Sequence, residues 1–216
     1  LKKHLYFIPG MSASSKIFER IQLPKDIYQI HLLEWIQPLH KNESLESYID
    51  RISVFVKEPN PIFIGVSFGG IIAQELAKKF KSPKVIIISS IKHHNEVSPF
   101  LQFVRKTNFH KLYPVSLINF LEKTSYYFAY KKFKRTLISY RIYMPLRNKT
   151  YTQWAIQSFL HWKQNQTIEV LHLHGNKDIM LPLKYIKNAK VIQGGTHVMI
   201  LTKTSTIQSE ITKYLA

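Results

Sequence analysis

The segment from Pro61 to Phe80 does most to limit the folds open to this chain. Pro61 to Val66 is a short, apolar, β-rich run, and Ser67 to Phe80 then turns to helical periodicity, with Ile71, Ile72, Leu76 and Ala77 on one side. A strand apolar throughout is covered on both faces, and one that passes directly into a helix belongs to a parallel sheet. The same alternation fills the first half of the sequence. Leu5 to Ile8 reads as a buried strand stopped by Pro9-Gly10, Ile27 to Leu33 as a second, and Val85 to Ile88 as a fourth. Between them come a short helix from about Ser14 to Ile21, capped by Ser14 or Ser15, and an amphipathic helix from Ser44 to Val56. In the longer helix, Leu45, Tyr48, Ile49, Ile52, Phe55 and Val56 recur at helical spacing. Four strands separated by helices predict a parallel sheet with helices on both faces.

The pattern breaks at Lys92. From there to Lys149 nothing reads as a buried strand, and the fifty-eight residues hold twelve aromatics, twelve Lys or Arg, and two acids, Glu96 and Glu122. That stretch carries +10 of the chain's +18. We read 92–149 as an inserted helical cap on a core made of 1–91 and 150–216. Alternation then resumes with a helix near Thr152 to Trp162, a strand from Ile168 to His174 and a short segment from Lys184 to Asn188. A last strand at Ala189 to Ile192 precedes a helix from Thr204 to Leu215.

Composition excludes several classes. With no cysteine, a disulfide scaffold, a thiolate metal site and a cysteine nucleophile are all absent. No window offers eighteen consecutive apolar residues; Pro61 to Ala77 comes nearest but holds three glycines, Gln74 and Glu75. No signal-peptide pattern is present in the sequence, so a cytoplasmic protein without a membrane span is expected. A charge of +18 attracts anions, whether nucleic acid, lipid head groups, coenzyme A or an acidic carrier protein. It does not choose among them. The basic, aromatic cap reads most simply as aromatics packed on the core with solvated lysines. It also fits a gate over an acyl chain, or a base-stacking surface, but no nucleic-acid motif accompanies it.

Chemistry concentrates in three places. Gly65-Val66-Ser67-Phe68-Gly69-Gly70 sits where a strand ends and a helix begins. As a pattern, G-x-S-x-G arises by chance about once in fifteen chains of this length. At a strand–helix junction it has a physical meaning: a turn so tight that the serine is strained and glycines relieve the crowding. A Gly-rich turn with a capping serine fits the same residues. A serine hydroxyl needs a base, and of ten histidines His197 stands out, because Gly194-Gly195-Thr196 sets it in a loop after the last strand. The base needs a carboxylate to fix its tautomer, and Asp178 follows the strand that ends His174-Gly175. In isolation, Asp178 also fits an Asx turn before Pro182. Serine, acid and histidine each follow a separate predicted strand, in that order.

On these residues the chain resembles the α/β-hydrolase superfamily along nearly its whole length. The resemblance implies an α/β-hydrolase fold with a mostly parallel sheet of about six strands, lacking the family's first two. It implies Ser67 as nucleophile, Asp178 as acid and His197 as base. Phe7-Ile8-Pro9-Gly10-Met11 matches the family's oxyanion loop, with Pro9 in place of the usual histidine. By that match, the backbone N–H groups of Met11 and Phe68 hold the oxyanion. The cap falls where the family usually carries one. The activity implied is hydrolysis of an ester or thioester, as in carboxylesterases and acyl-carrier-protein methyl esterases of the biotin-pathway type. The substrate is a small molecule, anionic or carrier-linked if the cap's charge is used, and neither cofactor nor metal is implied. The superfamily also includes C–C hydrolases and lyases, and a non-catalytic binding protein on the same fold is the alternative from another class. Among the remaining residues, Glu96 is the rival acid. His172 and His174 share a face of one strand, as a metal pair would, but read more simply as structural; His93 and His94 read as surface residues before cleft-lining ones, and Ser12 as a turn hydroxyl before a substrate contact.

Overall fold

The computed structural model describes residues 2–107, 142–146, 148–166 and 168–216. Among these, six strands form one sheet: β1 (Lys3–Ile8), β2 (Tyr28–Leu32), β3 (Ile62–Val66), β4 (Val85–Ile88), β5 (Leu171–Gly175) and β6 (Lys190–Ile192). All five pairings are parallel, in the order β2-β1-β3-β4-β5-β6. The strand order reverses between β1 and β3, and such a switch point opens a crevice beyond the carboxyl ends of its strands. Two predicted motifs, Pro9-Gly10 and the Ser67 turn, lie at that crevice.

Strand alternation divides the core. Tyr6, Ile8, Phe63, Val85 and Ile87 face one layer, with α1 (Leu45–Ser53), α2 (Phe68–Phe80) and α4 (Lys149–His161). Leu5, Phe7, Ile62, Ile64, Val66, Ile86 and Ile88 face the other, against a 3-10 turn (Ser15–Phe18), α5 (Met199–Thr202) and α6 (Thr204–Leu215). Strands β3 and β4, in the middle of the sheet, are apolar at every position because both faces are covered. This is the expected α/β architecture. Ser44 caps α1 as anticipated, its hydroxyl accepting from the Ser47 N–H at 3.1 Å.

Three expectations need correction. The helix from Ser14 to Ile21 is a single 3-10 turn: Glu19 and Ile21 donate to Lys16 and Phe18, and the Ser15 amide and hydroxyl bond Glu34 instead of capping a helix. Phe55 faces water, 54% exposed, because α1 ends at Ser53 and the chain leaves helical phase before reaching it. The strand expected from Ile168 starts at Leu171, since that residue pairs with Ile86 and β4 offers only Val85 before it. Of the predicted cap, 108–141 lies outside the described residues. Its described flanks hold a helix, α3 (Pro99–Thr107), and the start of α4. Among the described residues, no helix is long and apolar enough to cross a membrane.

Candidate active site

Ser67 is the hinge between β3 and α2, with φ 52° and ψ −122°. That region costs a residue with a Cβ about 1–3 kcal/mol. The glycines around it are required by crowding. A Cβ on Gly65 would collide with the Gly69 carbonyl, and one on Gly69 with the carbonyls of Ile8 and Pro9. The turn is tied down on both sides. The Ser67 N–H donates to the Ile88 carbonyl at 2.9 Å, and the Ser90 hydroxyl donates to the Ser67 carbonyl at 2.6 Å.

The loops after β5 and β6 are bound to each other. Lys177 N–H donates to the Gly195 carbonyl at 2.8 Å, and Gly194 N–H to the Asn176 side chain at 2.7 Å. This carries Asp178 and His197 to the mouth of the crevice. Asp178 Oδ2 lies 2.8 Å from His197 Nδ1, and His197 Nε2 lies 3.0 Å from Ser67 Oγ. The other Asp178 oxygen accepts the N–H groups of Met180 and Leu181, each at 2.9 Å. Both readings of Asp178 therefore hold at once: Oδ1 makes the Asx turn and Oδ2 meets the imidazole. Burial pushes the Asp178 carboxyl up, but the His197 hydrogen bond and charge, the Leu181 amide and His174 together hold it below its ordinary value. An ionised Asp178 keeps a proton on His197 Nδ1, leaving the Nε2 lone pair toward the serine hydroxyl.

Behind Asp178 runs a buried chain of histidines. His174 Nε2 is 2.8 Å from the Leu181 carbonyl, and its Nδ1 is 3.2 Å from His172 Nε2. The carbonyl can only accept, so His174 Nε2 carries a proton and Nδ1 accepts from His172. The pair packs within the protein as structural histidines. Burial, then the neighbouring His174 and Lys92, push His172 down to about 3. Burial also lowers His174, against the Leu181 carbonyl and Asp178. A base depressed in the fold gains its proton first in the unfolded chain. Stability is therefore expected to fall once pH drops below about 6.5, by up to roughly 1.4 kcal/mol per unit for each histidine. Asp178 contributes its own loss only lower, as pH falls through its lowered value. Urea unfolding from pH 7 to 4.5 checks this. His172→Gln should flatten the slope, and a wild-type curve already flat over that window contradicts it.

The loop after β1 is held by residues that motif reading overlooked. Trp35 Nε1 donates to the Gly10 carbonyl at 3.0 Å, and the Ser12 N–H donates to the Tyr151 hydroxyl at 3.2 Å. Trp35 also stacks on Phe68, ring centroids 5.3 Å apart. Ser12 is in the left-handed region at φ 62°, and its carbonyl accepts from Leu146. Gly10 abuts the serine, so that a Cβ there would sit 3.5 Å from Ser67 Cβ. Among the described residues, neither the Met11 nor the Phe68 N–H donates to a protein acceptor. Phe68 is fully buried, and an unpaired buried N–H is rare. The aromatic residues Trp35 and Tyr151 carry no motif; only their spatial neighbours show what they do.

Glu96 is elsewhere, its carboxylate accepting the Lys92 and Lys187 amides at 2.7 and 3.1 Å. His93 and His94 are half-buried rather than fully exposed, with ring centroids 3.9 Å apart.

The sequence profile of the uncharacterised protein family UPF0227 matches residues 4–139, and the chain belongs to that family. No curated protein matches it. Its fold is that of the α/β hydrolases. A hydrolase from Pseudomonas aeruginosa PA01 aligns over 100% of this chain and 90% of its own, with TM-score 0.69 at 13% identity. A bromoperoxidase from Bacillus anthracis aligns over 100% and 92%, with TM-score 0.69 at 14% identity. A thermophilic esterase from Thermogutta terrifontis aligns over 99% and 89%, with TM-score 0.67 at 12% identity.

Proposed function

We propose that this UPF0227 member is a serine hydrolase that cleaves a carboxylic ester or thioester through an acyl-enzyme on Ser67. The observation that carries the proposal is the continuous contact from Asp178 through His197 to Ser67 Oγ, at 2.8 and 3.0 Å. His197 Nε2 takes the hydroxyl proton as Oγ attacks the acyl carbonyl, and Asp178 stabilises the imidazolium. The carbonyl oxygen becomes an oxyanion held by the Met11 and Phe68 N–H groups, each such donor worth about 2.7–4 kcal/mol in the transition state. The C–O or C–S bond then breaks, and His197 returns its proton to the leaving alcohol or thiol. Water, deprotonated by the same imidazole, attacks the acyl carbon and releases the acid and free Ser67.

Apolar side chains beside the triad favour an acyl group of small or medium length. Ile179, Met180 and Val198 are 88%, 62% and 52% exposed, and they adjoin Asp178 and His197 in the chain. The similar esterase and hydrolase folds support the same class of chemistry. The +10 charge carried by the sequence of 92–149 favours an anionic or carrier-linked substrate.

A panel of p-nitrophenyl esters, neutral and acidic, read across a salt series tests this. The expected result is turnover of short and medium esters, with a preference for the acidic ones that shrinks as salt screens it. Turnover without any salt-sensitive preference rejects the anionic substrate. No turnover of any ester or thioester rejects the hydrolase and leaves a binding protein.

A further inference from the structure

Near the opposite end of the sheet, two histidines and a glutamate converge. His4 lies on β1 and His31 on the edge strand β2, where the register sets Tyr6 opposite His31. His4 Nδ1 and His31 Nε2 are 3.0 Å apart. Glu58, in the connection from α1 to β3, brings a carboxylate oxygen to 3.8 Å from His4 Nε2. One ligand atom from each of the three lies within 4.8 Å of the other two, and all three residues are half-buried.

A buried tyrosine builds this cluster. Tyr6 stacks flat on His31, with centroids 4.5 Å apart and planes 12° from parallel. Its hydroxyl accepts the N–H groups of Lys57 and Glu58, both at 3.1 Å. One side chain, 1% exposed, thus fixes the imidazole and the backbone that carries the carboxylate. Burial, and then the charge of His4, hold His31 below its ordinary value although Glu58 opposes them.

We propose that His4, His31 and Glu58 bind a single divalent transition-metal ion, with Zn²⁺ the best match. Two imidazoles and one carboxylate suit zinc, whereas calcium and magnesium need more oxygen ligands than a lone glutamate gives. Tetrahedral zinc with Zn–N near 2.05 Å wants its nitrogens about 3.3 Å apart, so the rings part by a few tenths of an ångström and turn both lone pairs toward one point. Glu58, which lies nearest the other His4 nitrogen, is 39% exposed and can swing round to that point, and water supplies the fourth ligand. His4 is six residues from Gly10 along an extended strand, roughly 20 Å from the serine. The ion therefore takes no part in chemistry at the serine. It would clamp β1, the α1–β3 connection and β2, an open edge strand whose Ile30 and Leu32 are 38% and 51% exposed.

Calorimetric titration of the EDTA-treated, dialysed full chain with ZnCl₂ at pH 7.5 tests the site. The expected result is saturable binding of a single ion, with no comparable heat from MgCl₂. Glu58→Gln, a substitution at a half-exposed side chain, should weaken binding at least about tenfold, and His31→Ala should abolish it. Absence of saturable Zn²⁺ binding overturns the proposal. Wild-type affinity in Glu58→Gln or in His31→Ala also overturns it, because the ion is then held by other histidines. Ester turnover is expected to be unchanged in Glu58→Gln, so this outcome is independent of the reading of Ser67.

Discussion

Ser67→Ala is expected to leave the chain folded and to lower ester turnover by about six orders of magnitude. Alanine keeps the Cβ, so the strain of φ 52° and every contact of the turn's backbone stay in place. Only the oxygen 3.0 Å from His197 Nε2 is lost. Without it no acyl-enzyme forms, and the residual rate comes from water attacking a carbonyl polarised by the Met11 and Phe68 amides. Ser67→Gly separates strain from chemistry. It should be equally inactive, yet more stable than the alanine variant by about 1–3 kcal/mol in urea unfolding, because glycine accepts that backbone freely. An alanine variant that keeps more than about a hundredth of wild-type turnover eliminates Ser67 as nucleophile.

Asp178→Asn should reduce kcat by about 10⁴-fold with little change in KM and only a modest loss of stability. The size of the effect follows from what the other carboxylate oxygen does. Oδ1 accepts two backbone N–H groups at 2.9 Å, so an asparagine must put its carbonyl there to keep the turn. Its amide nitrogen then faces His197 Nδ1 at the position of Oδ2. Two donors meet unless the imidazole moves its proton to Nε2, and in that tautomer it cannot accept from Ser67. Alanine would also free the Met180–Leu181 turn and confuse the two effects. Circular dichroism and steady-state kinetics on the asparagine variant decide the matter, and a loss smaller than about tenfold removes Asp178 from the reaction.

What could be read in the sequence was whatever depends on short-range order. The apolar runs of β1, β3 and β4 and the glycines beside Ser67 express constraints between chain neighbours, and these elements appear where they were expected. The helix at Ser14 failed for a long-range reason, because Glu34 claims the amide and hydroxyl of Ser15. Strand β5 starts late because pairing length is set by its neighbour β4, which no pattern within 168–174 reveals. The supports of the site were invisible for the same reason. Trp35 and Tyr151 lie 25 and 139 residues from the backbone groups they hold. His4 and Glu58 are likewise separated by most of the first half of the fold. Their meeting depends on β1 pairing with both β2 and β3, a matter of topology and not of motif.

The reading of this protein as a hydrolase rests on a serine made nucleophilic by His197, and one measurement addresses that state directly. Wild type, Ser67→Ala and His197→Ala should be treated with a fluorophosphonate and their intact masses and labelled peptides determined. The account predicts one phosphonyl adduct on wild type, mapped to Ser67, none on Ser67→Ala, and a rate on His197→Ala lower by at least about a thousandfold. A wild-type protein that stays unlabelled while other serine hydrolases react, or that labels as fast without His197, contradicts it.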